Sequence, residues 1–198
     1  MKRQKMQVLL NPSSRRAEGA LPALAEILTR GFAEHGVDVT IVAASGEQLQ
    51  SAAGEALQRA RKGELAAIIA AGGDGTIRTV AGELASTSVP LGIIPLGTLN
   101  HFAKDLGIPL ELDDAIATTV TALPRAIDLG EVNGRTFVNN SSVGIYPYLV
   151  VDRERKRRHD GLSKWTAMVL AILRSIRRLP MRRLRIHVEN EVHEHRSP

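Results

Sequence analysis

The chain has 198 residues, of which 43% are hydrophobic and 24% charged, values typical of a globular protein with one domain or one domain plus part of another. The absence of cysteine excludes disulfides and thiolate metal sites, and an aromatic content of 3% leaves few side chains for stacking on single-stranded nucleic acid. The net charge of the chain is +5, and the positive charge is concentrated between Arg153 and Arg185, a segment that contains twelve Lys and Arg but only two acidic residues. This segment therefore predicts a phosphate-bearing partner.

Short apolar strands alternate with helical segments up to about Pro124, as expected for a parallel sheet covered on both faces. The predicted strands are Gln7–Leu10, Asp38–Ala43, Leu65–Ala71 and Leu91–Pro95. The predicted helices are Leu21–Glu34, Gly46–Lys62, Thr76–Ala85, Asn100–Leu106 and Leu112–Thr121. Residues 1–125 are therefore expected to form a doubly wound, mostly parallel α/β domain of the Rossmann-like type, suited to binding a nucleotide.

After Arg125 the pattern changes to that of hairpin strands. Asn133-Gly134 stands between two apolar runs and is a strong signal for a tight hairpin turn. The elements predicted in this part are strands at Ala126–Val132, Thr136–Asn140 and Val143–Val151, a helix at Ser163–Leu179, and a last strand that starts at Leu184–Val188 and runs to Pro198. Residues 126–198 are therefore expected to form a partial β-rich second domain with one helix.

The run Gly72-Gly73-Asp74-Gly75-Thr76 lies between a predicted strand and a predicted helix. Glycine permits close backbone approach, and the free N–H groups and positive end of the following helix favour a phosphate, to which the Thr76 hydroxyl can also donate. Asp74 would repel a phosphate unless a divalent cation lies between them or the carboxylate takes up a proton. The run thus indicates phosphoryl transfer, and the structural alternative is a tight turn with Asp74 as a helix N-cap.

Two further strands end in polar loops of the same kind. Asn11-Pro12-Ser13-Ser14-Arg15-Arg16 follows the first strand, and Pro95-Leu96-Gly97-Thr98-Leu99-Asn100 follows the fourth. Because the carboxyl ends of parallel strands share one edge of the sheet, and ligands of open α/β sheets bind there, we expect these loops and the glycine run to surround one nucleotide.

These motifs, together with Phe102-Ala103-Lys104-Asp105 and Phe137-Val138-Asn139-Asn140, resemble the diacylglycerol kinase catalytic domain family, which includes bacterial lipid kinases and sphingosine kinases. The resemblance covers nearly the whole chain in order. It implies a nucleotide domain of the phosphofructokinase and NAD kinase type, a β-rich second domain, and an active site in the cleft between them. It also implies transfer of the γ-phosphate of ATP, with Mg²⁺, to a lipid hydroxyl such as that of diacylglycerol.

The resemblance also assigns roles to residues. Asp74 would be catalytic, either as a Mg²⁺-linked group or as acceptor of the proton of the lipid hydroxyl, and His101 would contact the substrate. Where the family commonly has Asn-Glu after the glycine run, this chain has Arg78-Thr79, and His101 replaces the usual Asp. The nucleotide contacts implied are Asn11, Ser13, Ser14, Thr40, Gly72, Gly73, Asp74, Gly75, Thr76, Gly97, Thr98 and Asn100.

Members of the family usually run about a hundred residues further, which is in keeping with a second domain of normal size. That additional part carries an acidic residue proposed as general base and a metal-binding loop. We therefore expect a truncated or shortened relative whose 198 residues alone show weak or absent turnover, because phosphoryl transfer depends on positioning and charge supplied by both domains.

The partners expected are a lipid substrate and an anionic membrane surface, contacted through the segment Arg153–Arg185 by a cytoplasmic protein at the inner face of the membrane. No specific nucleic acid is expected, and a homodimer stays open. The alternatives are an NAD or sugar kinase that shares the glycine run, and a non-catalytic regulatory protein that binds nucleic acid or membrane through the basic segment.

Overall fold

The computed structural model describes residues 3–141, 182–188 and 191–197. The chain divides into two compact units, residues 1–140 and 141–198. The strand predicted at Val143–Val151 and the helix predicted at Ser163–Leu179 lie outside the described residues. Within the part of the chain that is described, no helix is long and apolar enough to cross a membrane.

Four parallel strands form the sheet of the first unit, in the order β2-β1-β3-β4. They are β1 (Gln4–Leu10), β2 (Val37–Ala43), β3 (Ala67–Gly72) and β4 (Leu91–Pro95). Leu10 pairs with Ala43 on one side and with Ala71 on the other, while Gly72 pairs with Pro95. The strands therefore end together at one edge, as predicted from the alternation of strands and helices.

Helices cover both faces of this sheet. They are α1 (Leu21–Glu34), α2 (Glu47–Arg61), α3 (Asp74–Leu84), the short α4 (His101–Asp105) and α5 (Leu112–Thr121). Successive residues of β3 point to opposite faces, so that Ile68 packs with α2 and α3 whereas Ile69 packs with α1 and α5. This arrangement confirms the predicted doubly wound α/β fold.

The period of the apolar residues explains why these segments become helices. In α1, Leu24, Leu28 and Phe32 recur every fourth residue and are the buried positions of the helix. Burying each such side chain stabilises the fold by about 1.5–3 kcal/mol relative to leaving it in water. Strand β3 is buried along its whole length because it has strands on both sides and helices on both faces.

A tight hairpin follows the α/β part, as the Asn-Gly pair predicts. Strand β5 (Gly130–Val132) pairs with β6 (Arg135–Phe137), and the turn residues Asn133 and Gly134 have φ of 51° and 72°. Thr136 lies against α3, where its Oγ1 is 3.5 Å from the position that a Cβ on Gly82 would occupy. The hairpin thus belongs to the first unit, so the two units divide after Asn140, whereas the sequence pattern changes at Arg125.

The second unit ends in another antiparallel hairpin. Strands β7 (Arg182–Val188) and β8 (Glu191–Ser197) pair so that Arg185 stands opposite Glu194, whose Oε1 accepts a hydrogen bond of 2.9 Å from the Arg185 guanidinium. The prediction of one strand running on to Pro198 is therefore wrong. The cross-strand ion pair favours the reversal of the chain. The polar pair Glu189-Asn190, which lies between the two strands in the sequence, is the signal that could have predicted this reversal.

Candidate functional site

A crevice opens at the carboxyl ends of β1 and β3. The chain leaves β1 towards α1 on one face of the sheet and leaves β3 towards α3 on the opposite face, so the two loops diverge. Such a switch point is where open α/β sheets bind ligands. A cavity of about 430 Å³ lies here, within the usual size of a small-molecule site, and the predicted residues that line it are Asn11, Ser13, Ser14, Gly73, Gly75, Thr76, Gly97 and Thr98.

Asn11 ties the loop after β1 to the glycine run. Its Nδ2 donates to Oγ1 of Thr76 at 2.9 Å, and its Oδ1 accepts from the N–H of Ser13 at 2.9 Å. The Thr76 hydroxyl, 65 residues away along the chain, thereby has its acceptor role filled. Its own proton remains available for another acceptor at the cavity.

The glycines are explained by close backbone approach. A Cβ on Gly97 would lie 2.6 Å from Cα of Gly73, closer than real Cβ contacts allow, and a Cβ on Gly72 would lie 2.6 Å from Cβ of Thr76. The N–H of Leu96 donates to the carbonyl of Gly72 at 2.9 Å and holds the two loops at this distance. The loops after β3 and β4 therefore touch backbone to backbone, which no larger residue permits.

Asn100 closes the loop after β4 from within. It has a left-handed backbone with φ of 50° and is only 7% exposed. Its Oδ1 accepts from the N–H of Gly97 at 2.9 Å, and its Nδ2 donates to the carbonyl of Gly97 at 3.1 Å. The side chain that was expected to contact the nucleotide is thus engaged with Gly97, and it is not among the residues that line the cavity.

Asp74 connects α3 to α4. Oδ2 of its carboxylate accepts a hydrogen bond of 3.2 Å from the N–H of His101, and Oδ1 accepts one of 3.0 Å from the N–H of Phe102. Asp74 is the first residue of α3, whose N-cap position is taken by Gly73. The carboxylate therefore caps the first turn of α4 and not that of α3, the helix for which the structural alternative predicted an N-cap.

A protein-held metal site is not built from these residues. Within residues 3–141, 182–188 and 191–197, no group of three or more His, Asp and Glu side chains could hold a metal ion. Asp74 offers one carboxylate beside the glycine run, and both its oxygens already accept backbone hydrogen bonds. Mg²⁺ in nucleotide sites is held largely by phosphates and water, so Asp74 alone would be a minor ligand.

Besides Gly72, Asp74 and Asn100, two more predicted residues, Thr40 and His101, are not among those that line the cavity. Thr40 is exposed in the middle of the edge strand β2, where it pairs with Gln7. His101 is exposed at the first position of α4, next to the Asp74 carboxylate that accepts its N–H. His101 thus borders the glycine run from the side of α4, while Thr40 does not reach the edge where the loops meet.

Arg15 also lines the cavity and belongs to the loop that was expected to border the nucleotide, although it was not singled out as a contact. The other cavity residues were not predicted as site residues, namely Gly46, Leu49, Arg78 and Thr79. Gly46 has φ of 56° and ψ of −130°, a conformation that favours glycine, immediately before α2. Arg78 and Thr79 follow Gly75 by three and four residues, so the helical period places all three on one face of α3. That spacing was the signal in the sequence that could have found them.

A second cavity, of about 1070 Å³, runs along the outer edge of β4. Its lining is mainly apolar and includes Leu84, Leu91, Leu106 and Leu129. On α3 it is lined by Ala81 and Leu84, near the end of the helix, whereas the first cavity is lined by the beginning of the helix. The two cavities therefore lie towards opposite ends of α3.

The chain is similar to known proteins of one family. Residues 5–132 match the family model of the diacylglycerol kinase catalytic domain. The chain is 38% identical to a diacylglycerol kinase of Bacillus subtilis over 152 residues, which are 74% of this chain and 48% of that protein. It is 51% identical over 79 residues to a probable lipid kinase YegS-like protein of Pseudomonas syringae, or 39% of this chain and 26% of the relative.

The fold is also similar to that of solved structures. A diacylglycerol kinase of Bacillus anthracis superposes with a TM-score of 0.69 at 25% identity, covering 99% of this chain and 62% of the other. The chain thus spans about half the length of its Bacillus subtilis relative and less than two thirds of this structural neighbour. With the family model matching more than half of its residues, the chain belongs to the diacylglycerol kinase catalytic domain family.

Proposed function

We propose that this chain is the nucleotide-binding part of an ATP-dependent lipid kinase, which transfers the γ-phosphate of ATP to a lipid hydroxyl such as that of diacylglycerol. The observation that carries the proposal is the convergence of three loops on one cavity, where Gly73 and Gly97 meet backbone to backbone. Membership of a kinase family supports ATP as the phosphoryl donor. The names of the relatives, lipid kinase and diacylglycerol kinase, support a lipid as the acceptor.

In this proposal the beginning of α3 receives the phosphates. Gly73, Gly75, Thr76 and Thr98 line the cavity, and the positive end of the helix dipole favours an anion there. Gly46 and Leu49 line the cavity on the side of α2, where the Leu49 side chain is only 2% exposed and belongs to the core.

Asp74 and His101 would lie on the acceptor side of the phosphates. The Asp74 carboxylate holds the first turn of α4 and thereby places His101, which we propose contacts the substrate. Because carboxylate oxygens have further lone pairs, Asp74 can also accept the proton of the lipid hydroxyl or share a metal ion with the nucleotide. Mg²⁺, when bound with ATP, would supply positive charge to the transferred phosphate.

The proposal is tested by calorimetry with Mg·ATP on this chain, followed by a panel of acceptors with labelled ATP. We expect saturable binding of ATP, and turnover on lipid hydroxyls by a longer protein that contains this chain, with weak or no turnover by the 198 residues alone. NAD and sugars in the same panel test the alternative acceptors. Absence of nucleotide binding, or transfer to NAD or sugar in place of every lipid, would contradict the proposal.

Asn11→Ala is expected to weaken ATP binding about tenfold. The substitution removes the 2.9 Å hydrogen bond to Thr76 and the bond to Ser13, so the first loop loses its attachment to the glycine run. Thr40→Ala serves as the matched control, since Thr40 is exposed on β2 away from the cavity and should leave the affinity unchanged. Calorimetry measures the ATP affinity of both variants. An equal loss of affinity in both would show that the cavity is not the nucleotide site.

We further propose that the basic segment Arg153–Arg185 holds the protein at an anionic membrane. Most of this segment lies outside the described residues, and near its end the Arg185 guanidinium contacts Glu194 at 2.7 Å. At about 1 kcal/mol per basic residue near such a surface, a few free residues suffice for reversible attachment. Sedimentation with phosphatidylserine vesicles should show binding that falls with salt, and equal sedimentation with neutral vesicles would contradict it.

A further inference from the structure

Two arginines from different elements face the same cavity. Arg15 lies in the loop after β1, and Arg78 lies in the second turn of α3. Both are exposed, and among the described residues neither forms an ion pair, in contrast to Arg59, which contacts Glu64 at 3.2 Å. The two guanidinium groups are therefore available to a ligand.

The rest of the cavity is free of opposing charge. No Asp or Glu side chain is among the described residues that line it, and Asp74 is engaged with the N–H groups of His101 and Phe102. The beginning of α3 adds its own partial positive charge. The lining therefore carries two full positive charges and no negative charge at the place where the helix dipole also favours an anion.

Ser14 points to the same kind of ligand by an independent observation. The residue is only 7% exposed and lines the cavity, and its Oγ, which is itself buried, has no hydrogen-bond partner among the described residues. A buried hydroxyl without a partner costs about 1–3 kcal/mol, which a ligand oxygen would offset once the side chain turns towards the cavity. A phosphate oxygen is such a hydrogen-bond acceptor, and its negative charge suits a cavity that is lined by two arginines.

We propose that Arg15, Arg78 and the Ser14 hydroxyl bind the polyphosphate chain of the ligand directly, so that a triphosphate binds here without a divalent cation. This inference rests on the proposed nucleotide site and adds to it the groups that neutralise the phosphates. Arginine suits the task because its guanidinium donates two parallel hydrogen bonds to phosphate oxygens and stays charged.

The test is calorimetry with inorganic triphosphate in the presence of EDTA. We expect the unmodified chain to bind it, and Arg78→Gln and Arg15→Gln each to weaken binding about ten- to hundredfold. Ser14→Ala should weaken it less, by about two- to tenfold, since one neutral hydrogen bond is lost. The matched control is Arg61→Gln, which removes an equal charge from the end of α2 and should leave the affinity unchanged. Circular dichroism on each variant verifies the fold.

The outcomes separate this inference from the proposed function. If Mg·ATP binds but triphosphate with EDTA does not, or if Arg78→Gln behaves like Arg61→Gln, the inference is wrong and the kinase proposal stands. If triphosphate binds through the arginines but no lipid is phosphorylated by any longer form, the inference holds and the kinase proposal fails. If neither triphosphate nor Mg·ATP binds, both are wrong.

Discussion

Gly97→Ala is expected to abolish nucleotide binding and to lower the free energy of unfolding by about 3 kcal/mol, the upper end of what overpacking usually costs. The new Cβ would lie 2.6 Å from Cα of Gly73 and 2.7 Å from Oδ1 of Asn100. The first neighbour is backbone and cannot turn away. The second belongs to the side chain that closes the loop through its two hydrogen bonds to Gly97. Thermal unfolding and ATP calorimetry measure the two effects.

Gly75→Ala is the control for this prediction. No atom lies within 4 Å of a Cβ at Gly75, whose backbone is helical in the first turn of α3, so the substitution should not destabilise the fold. Alanine in a helix should instead stabilise it by about 0.5–1 kcal/mol. The new methyl group would stand at the cavity, and a loss of affinity without a loss of stability would show that the phosphates approach there. Equal melting temperatures for both variants would contradict the packing argument.

Asp74→Ala is expected to lower the free energy of unfolding by about 2 kcal/mol and to loosen α4. The change leaves the N–H groups of His101 and Phe102 without their acceptor, and hydrogen bonds to a charged group are stronger than neutral ones. Amide hydrogen exchange at these two residues should accelerate. Asp105→Ala is the matched control, because it removes from the same helix an exposed carboxylate that accepts one hydrogen bond of 3.3 Å from Nδ2 of Asn139 and none from the first turn of α4.

Asp74→Asn separates the structural role from a chemical one. The amide keeps one oxygen that can accept a backbone hydrogen bond, so stability should fall less than in Asp74→Ala. If the carboxylate also accepts a proton or shares a metal ion, a longer active form would lose turnover in Asp74→Asn while ATP binding persists. Unchanged exchange at His101 and Phe102 in Asp74→Ala would refute the capping role.

The fold could be predicted from the sequence because it follows from local patterns. Apolar runs of strand length and helical spacings such as Leu24, Leu28 and Phe32 repeat along the first unit, and the Asn133-Gly134 turn has a single favoured conformation. The convergence of the loops also followed, since parallel strands end at one edge. These inferences need no knowledge of which side chains touch across the sheet.

The partners within the site could not be predicted, because they join distant residues. The hydrogen bonds of Asp74 reach residues 27 and 28 positions further along the chain, and only the packing of α4 against α3 reveals them. Arg78 was visible in the sequence as a departure from the family pattern, but its place in the cavity depends on where α3 begins. The helix starts at Asp74, two residues earlier than predicted, which sets the face that Arg78 shares with Gly75.

The contact between Gly73 and Gly97 also limits how this region can change in length. One residue, Gly73, separates the end of β3 from the start of α3, and its backbone lies against Gly97 in the loop after β4. An insertion there would displace the Leu96 hydrogen bond and swing Asp74 away from α4 in a single step. We therefore expect added residues to be tolerated between Ala85 and Pro90, at the far end of α3, and to be rejected at the glycine run.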